Sequence, residues 1–211
     1  QNGVITGLTE GYTTIYGRHN EYENVNVMCI INVAKTENIA IPQVETGDGF
    51  TAILKADGTV WMTGNKDIVA IGTGSNIAEN DNPYNVPQQI KINENEYLTN
   101  VIKISTGTNH VLALTNTGEV YAWGKNDNGQ LGVGAPFAGI PEGSDTTVPV
   151  YARKVVGEGG SSTLKRIVDI SAGETGSTAI NEFGWVFVWG NGTNGEFGNG
   201  STTSNNTPVK T

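Results

Sequence analysis

The sequence has 211 residues, of which 36% are hydrophobic and 29 are glycine, and its formal net charge is −9. This acidity argues against a broad nucleic-acid-binding face, which needs clustered Lys and Arg, and against docking on an anionic membrane. Cys29 is the single cysteine, so an internal disulfide and a multi-cysteine zinc site are both excluded. The abundance of glycine favours many short strands over long helices.

Residues 1–36 are predicted to form a separate β segment. Val4–Leu8, Thr13–Tyr16 and Val25–Val33 have the composition of short strands separated by turns. Cys29 lies in the last of these, and we interpret it as a small buried side chain rather than a reactive thiol. Residues 3–15 resemble the end of a bacterial immunoglobulin-like domain of surface proteins, a sandwich of about 100 residues. The alternative is an N-terminal β extension that caps the segment that follows.

Residues 37–211 contain three copies of one pattern, at about residues 39–98, 99–164 and 165–211. Five glycines recur in each copy, separated in every case by 11, 6, 8 and 2 residues. Chance does not hold four spacings fixed three times, so the chain is predicted to be a repeat protein. The glycines are Gly47, Gly58, Gly64, Gly72 and Gly74, then Gly107, Gly118, Gly124, Gly132 and Gly134, then Gly173, Gly184, Gly190, Gly198 and Gly200.

Each copy predicts a strand, a turn and a second strand. Gly58, Gly118 and Gly184 end the turns, where a residue with positive φ is expected. Trp123 and Trp189 end the second strand of their copies. We interpret these indoles as packing between neighbouring units, with carbohydrate or partner binding as the alternative. A sheet this small cannot bury both faces alone, so repeated sheets are expected to stack around an axis.

The second copy carries the fullest pattern, from Ser105 through His110 and Val120-Tyr-Ala-Trp-Gly124 to Gly129-Gln-Leu-Gly132. It resembles the regulator of chromosome condensation repeat. That resemblance implies a β-propeller of about seven four-stranded blades. The expected fold is therefore all-β, a partial propeller of about three blades plus the N-terminal β segment. The other copies depart from the pattern: Phe50 and Gly176 replace the His, Thr63 replaces the Trp, and Val69-Ala-Ile71 replaces Gly-Gln-Leu.

No catalytic residue, metal ligand or cofactor site is predicted. The Gly-x-Ser-x-Gly, His-Glu-x-x-His and P-loop motifs are absent from the sequence. Residues 190–195 match Gly-x-Gly-x-x-Gly, but these glycines belong to the repeat and no βαβ pattern surrounds them. Asn126-Asp-Asn-Gly129 resembles part of a calcium loop without its spaced acids, which favours a turn.

The candidate partner-binding residues lie in the second copy. His110 occupies the repeat's histidine position, where a structural role is the main alternative. The other candidates follow the second strand and are Lys125, Asn126, Asp127 and Asn128.

These features predict a non-enzymatic protein-interaction module, a fragment of a larger bacterial surface or secreted protein. The alternative is a structural stalk or a cell-wall or carbohydrate-associated module. The resemblance implies partners such as a small GTPase, chromatin or β-lactamases, but three repeats and no basic tail argue against the first two. We expect no nucleic-acid partner and no membrane insertion, since no apolar stretch approaches the length of a membrane span. Three blades leave two open sides, which predicts a homodimer.

Overall fold

The computed structural model divides the chain into two compact units, residues 1–38 and 39–211. The residues that it describes are 11–18, 26–33, 39–65, 72–74, 84–134, 151–160 and 162–211.

The first unit contains a β-hairpin. β1 (Gly11–Arg18) pairs antiparallel with β2 (Asn26–Val33), in a register that runs from Gly11 opposite Val33 to Arg18 opposite Asn26. The two strands expected around residues 13–16 and 25–33 are therefore present. The third, Val4–Leu8, lies outside the described residues, and the immunoglobulin-like resemblance stays a prediction.

The second unit consists of three four-stranded antiparallel sheets, in which each strand pairs with its neighbour along the chain. This confirms the expected all-β partial propeller of about three blades. Among the described residues, one short 3₁₀ turn (Glu158–Gly160) interrupts the β structure, and no helix is long and apolar enough to cross a membrane. The first sheet contains β3 (Gln43–Thr46), β4 (Phe50–Leu54), β5 (Val60–Gly64) and β6 (Tyr84–Gln89); the second contains β7 (Val101–Thr106), β8 (His110–Thr115), β9 (Val120–Gly124) and β10 (Arg153–Lys154); the third contains β11 (Ile167–Ala172), β12 (Gly176–Asn181), β13 (Val186–Gly190) and β14 (Asn205–Lys210).

The middle sheet is buried on both faces. Successive side chains of a strand point to opposite faces, so β8 contributes to two cores at once. Val111 and Ala113 join the core shared with the first sheet, whereas Leu112 and Leu114 join the core shared with the third. This explains why β8 is a continuous apolar run rather than an alternating one.

The turn glycines also join the sheets. Gly118 has a φ of 76°, a left-handed value that side chains other than Gly rarely adopt. Its carbonyl accepts a hydrogen bond of 3.1 Å from the amide of Ile167, where the third sheet begins. The Gly58 carbonyl accepts the equivalent bond from Val101 at 3.1 Å. The turn of one sheet therefore fixes the entry of the next.

The first strands of neighbouring sheets are linked through side chains. Gln43 Oε1 accepts a hydrogen bond of 2.9 Å from the Ile104 amide, and Ser105 Oγ accepts one of 3.0 Å from the Ala172 amide. Lys103 pairs with Asp169, and its ammonium lowers the pKa of that carboxyl. These contacts hold the three sheets in sequence order.

Candidate partner-binding surface

The loop after β9 is held rigidly by its own polar groups. Asn126 Oδ1 accepts a hydrogen bond of 3.0 Å from the Leu131 amide, and the Asn126 carbonyl accepts one of 3.0 Å from Gly129. The Asn128 amide donates to Gln130 Oε1 at 2.9 Å. The loop follows β9 in this path because Gly124 has a φ of 110°. Asn126 and Asn128 therefore shape the loop.

Lys125 and Asp127 are the two charged side chains of this loop. Asp127 is exposed and Lys125 is half-buried. Within the described ranges, neither side chain forms a hydrogen bond or ion pair. The loop therefore carries one positive and one negative side chain, two residues apart on a backbone held by hydrogen bonds.

His110 requires a correction. It was a candidate partner-binding residue, but its side chain is 0% exposed, and an interior imidazole cannot contact a partner. His110 Nε2 lies 2.8 Å from Ser177 Oγ, in the third sheet. It therefore connects two sheets, while the four loop residues remain candidates.

The polar contacts around His110 fix its tautomer. The Ser177 hydroxyl donates to the Gln130 carbonyl at 2.8 Å, so His110 Nε2 must donate to Ser177. Nδ1 then carries no proton, and it has no hydrogen-bond partner among the described residues. Burial lowers the pKa of His110 to about 4, because a charged imidazolium would lose its hydration there.

Trp123 and Trp189 join neighbouring sheets, and both are 0% exposed. Trp123 Nε1 donates to Met62 Sδ at 2.9 Å, and Trp189 Nε1 donates to the Gln130 carbonyl at 2.8 Å. Each indole lies over a glycine of the preceding repeat. A Cβ on Gly132 would be 2.6 Å from Trp189 Nε1, so no larger residue fits there without movement.

The third repeat has an equivalent loop after β13. Asn191 Oδ1 accepts a hydrogen bond of 3.0 Å from the Thr193 amide. The Glu196 carboxylate accepts hydrogen bonds from the amide and the side chain of Asn194, at 2.8 and 2.9 Å. Hydrogen bonds from the Glu196 backbone and from Asn194 lower the pKa of Glu196. Both loops follow the third strand of their sheets, so they lie at the same end of the second and third sheets.

An aromatic pair lies at the opposite end of the third sheet, and the sequence analysis missed it. Phe183 is 57% exposed and Trp185 is 49% exposed, with ring centroids 5.8 Å apart. Lys210 Nζ lies 3.5 Å from the centroid of Trp185, and Arg166 lies 5.3 Å from that of Phe183. An alignment of the three repeats could have revealed this pair. The other repeats have polar residues at these two positions, namely Asp57 and Thr117, and Thr59 and Glu119.

The structure shows no metal-binding cluster of His, Cys, Asp and Glu among the described residues.

Comparison with known proteins identifies the family. A model of the "Regulator of chromosome condensation (RCC1) repeat" matches residues 57–114 and 117–180, which together exceed half of the chain, and a second model of the repeat matches residues 101–130. The chain belongs to the RCC1 repeat family. The matched residues contain the turns at Gly58 and Gly118 and the strand β9 with Trp123.

Curated relatives share the repeat within much longer chains. The human E3 ubiquitin-protein ligase HERC2 is 37% identical over 113 residues, which are 52% of this chain and 2% of that protein. The ultraviolet-B receptor UVR8 of Arabidopsis thaliana is 32% identical over 58% of this chain and 24% of its own length. The mouse X-linked retinitis pigmentosa GTPase regulator is 33% identical over 72% of this chain and 13% of its own. The chain thus spans less than a quarter of each.

Solved structures share the fold. Yeast RCC1 (Prp20), in its complex with Kap60, has a TM-score of 0.64 and 17% identity, over 80% of this chain and 36% of that one. Human WBSCR16 has a TM-score of 0.57 and 20% identity, over 86% and 40%.

Proposed function

We propose that this chain is a non-enzymatic protein-interaction module that binds a protein partner through the loop Lys125–Asn128. The observation that carries the proposal is the loop itself: its backbone is held by hydrogen bonds, while Lys125 and Asp127 extend from it. A preorganised loop loses little conformational entropy when it binds. Proteins with this fold are described with partners, as in the complex of Kap60 with yeast RCC1 (Prp20) and in the binding of Prp20p to Gsp1p and histones.

Photo-crosslinking tests this assignment. A benzoylphenylalanine placed at position 127 of the full chain should form a protein adduct in an extract of the source cells. The same probe at exposed Thr117, at the other end of β8 and β9, is the matched control. Lys125→Glu should weaken the adduct at position 127 at least about tenfold, the effect of about 1.4 kcal/mol. Equal adducts from positions 127 and 117, or none from either, would contradict the proposal.

The alternative is a carbohydrate-associated or structural module. The exposed pair Phe183 and Trp185 favours it, because sugars stack on exposed aromatic rings. In that case the chain would bind glycans on an array, Trp185→Ala would abolish the binding, and no protein adduct would form at position 127.

We also propose that the parent protein is secreted or surface-exposed and bacterial. The support is the resemblance of residues 3–15 to bacterial immunoglobulin-like domains, together with the acidic charge of −9. Fractionation of source cells, with an antibody against this chain, tests the location. Recovery in the cytosolic fraction alone would contradict it.

The ligase named among the relatives does not extend its activity to this chain. The match to HERC2 covers 2% of that protein. Our proposal therefore assigns no reaction to residues 39–211.

Self-association remains part of the proposal. The first and third sheets each leave one face without a neighbouring sheet among the described residues. Apolar faces and free strand edges favour pairing with another copy. Light scattering over a concentration series should show a homodimer at high micromolar concentration, and a monomer throughout would contradict it.

A further inference from the structure

An aromatic surface lies at the turn between β12 and β13, at the end of the third sheet opposite the loop after β13. Phe183 and Trp185 are 57% and 49% exposed, and their ring centroids are 5.8 Å apart. Neighbouring large aromatic side chains in contact with solvent mark an interaction surface, since folding buries most such area. The pair is therefore a candidate site separate from the loop Lys125–Asn128.

The exposure of this pair does not depend on the open side of the third sheet. The positions of Phe183, Trp185 and Lys210 are held in the second repeat by Thr117, Glu119 and Lys154. Thr117 is exposed, and the side chains of Glu119 and Lys154 are 26% and 41% exposed, although the third sheet packs against the second. A following sheet thus leaves these three positions at the surface.

Lys210 gives the surface a positive charge without a carboxylate partner. Its ammonium lies 3.5 Å from the centroid of the Trp185 ring. Lys154, the equivalent residue of the second repeat, donates a hydrogen bond of 2.8 Å to the Glu119 carboxylate. The third repeat has Trp185 in place of that glutamate, and Lys210 forms no hydrogen bond or ion pair within the described ranges. Its ammonium is therefore available to a carboxylate of another molecule.

Arg166 borders the surface on the side of Phe183. Its guanidinium lies 3.0 Å from the Glu182 carboxylate and 5.3 Å from the Phe183 ring centroid. Its φ is 59°, a left-handed value that Asn tolerates better than Arg, and the equivalent Asn100 has a φ of 61°. Strained backbone of this kind occurs where a side chain has a functional role. Because Glu182 neutralises Arg166, the net charge of the surface is the positive charge of Lys210.

We propose that Phe183, Trp185 and Lys210 bind an acidic segment of a partner protein, one in which an apolar side chain stands beside a carboxylate. The apolar side chain packs on the two rings, and the carboxylate pairs with the Lys210 ammonium. Charge complementarity selects the carboxylate, and aromatic residues are enriched at protein interfaces. The Lys210 ammonium covers one face of the indole, which leaves less ring surface for a sugar and favours a peptide over a glycan.

Titration of the full chain with defined peptides tests this proposal. The probe is the capped peptide Gly-Ser-Glu-Glu-Phe-Glu-Glu-Ser-Gly, and its control has Gln in place of every Glu. At physiological ionic strength, where charges beyond about 8 Å are screened, the acidic peptide should bind at least about tenfold more tightly than its control. Lys210→Gln should remove this difference. Lys154→Gln, the matched variant of the second repeat, should leave the difference unchanged.

Variants of the two rings separate binding from folding. Phe183→Thr and Trp185→Thr introduce the residue that another repeat has at the same position, namely Thr117 and Thr59. Each should change the urea midpoint little, as surface substitutions do, and should weaken the acidic peptide at least about tenfold. Equal affinity of the original chain for both peptides, or unchanged binding by the ring variants, would overturn the proposal.

A glycan array distinguishes the other class of ligand. Glycan binding that requires Trp185, without binding of the acidic peptide, would overturn the proposal and assign the rings to a carbohydrate. Crosslinking at position 127 tests the loop Lys125–Asn128 independently, because that loop lies at the other end of the sheets. Failure of one site therefore leaves the result for the other intact.

Discussion

At the scale of the residue, the two buried tryptophans hold neighbouring sheets together. Trp123 is 0% exposed; its indole contacts Met62 of the first sheet and lies over Gly72, a loop residue of the first repeat. Trp123→Ala should therefore lower the free energy of unfolding by about 3–5 kcal/mol, the usual cost of truncating a large core aromatic. Urea denaturation measures this. A loss below about 1 kcal/mol would mean that the indole does not pack between sheets.

His110 makes stability depend on pH. Its pKa is about 4 in the folded chain and 6.5 in a free side chain. Between these two pH values the unfolded state therefore binds a proton at His110 that the folded state does not bind. The stability is complete above pH 6.5 and falls as the pH approaches 4. At about 1.4 kcal/mol per pKa unit, the full loss is about 3 kcal/mol.

His110→Phe provides the control for this pH effect, because Phe50 occupies the same position in the first repeat and is buried. Urea midpoints measured at pH 7 and pH 4 should differ less in the variant than in the original chain. Identical differences would show that His110 does not cause the acid loss.

Gly118 is constrained to be glycine both by its backbone conformation and by a close neighbouring residue. Its φ is 76°, and a Cβ there would lie 3.1 Å from the Arg166 Cα. Gly184 shares the strain, with a φ of 79°, but a Cβ there meets no described atom within 4 Å. Gly118→Val should therefore destabilise the chain more than Gly184→Val, which costs about 1–2 kcal/mol for the backbone alone. Equal losses in thermal unfolding would remove the contact with the third sheet as a cause.

At the scale of the element, the loops after β9 and β13 form a natural comparison. Gly132→Asn must displace Trp189 and should cost about 1–3 kcal/mol, the range for overpacking. Gly198 has the same φ as Gly132, but a Cβ there meets no described atom within 4 Å, so Gly198→Asn should change the free energy of unfolding by no more than about 1 kcal/mol. Urea denaturation of both variants tests this. A larger loss of stability for Gly198→Asn would mean that the space beside Gly198 is occupied.

The strands and turns were predictable because they depend on local sequence. The positions of the turn glycines follow from backbone conformation, which a single turn specifies, and their spacing recurs because each copy forms the same strand, turn and strand. The two β1–β2 strand positions followed from composition in the same way. The contacts between sheets could not be read locally, since they depend on which residues face each other across two repeats.

His110 and the pair Phe183 and Trp185 show what the sequence left out. The repeat pattern marked the position of His110, but its burial against Ser177 appears only when two sheets are stacked. Phe183 and Trp185 were interpreted as parts of a turn and a strand, yet they are exposed, as are the polar residues Asp57 and Thr117 at the position of Phe183 in the other repeats. The candidate loop was located correctly as a segment, while the bonding roles of Asn126 and Asn128 required the structure.

At the scale of the whole molecule, the three sheets pack in sequence order, the first against the second and the second against the third. In the first and second repeats, a loop glycine and the turn carbonyls of Gly58 and Gly118 contact the repeat that follows. Trp123 and Trp189 contact the repeat that precedes their own. The first sheet has Thr63 at the position of this tryptophan. Nearest-neighbour contacts of this kind make the stability of a repeat protein a sum over its interfaces. Loss of one interface should therefore loosen the terminal sheets before the middle one.

Hydrogen exchange across the full chain tests this arrangement most directly, because the amides of Gly132 and Gly198 each donate to the carbonyl three residues earlier at 3.0 Å, while only Gly132 is covered by a side chain of the following sheet among the described residues. At low micromolar concentration, we predict that the amides of Gly132 and its neighbours exchange at least about tenfold more slowly than those of Gly198 and its neighbours. Protection at residues 195–200 should increase with concentration if copies associate through the third sheet. Equal protection of the two loops at every concentration would contradict a series of three sheets that ends in an open face.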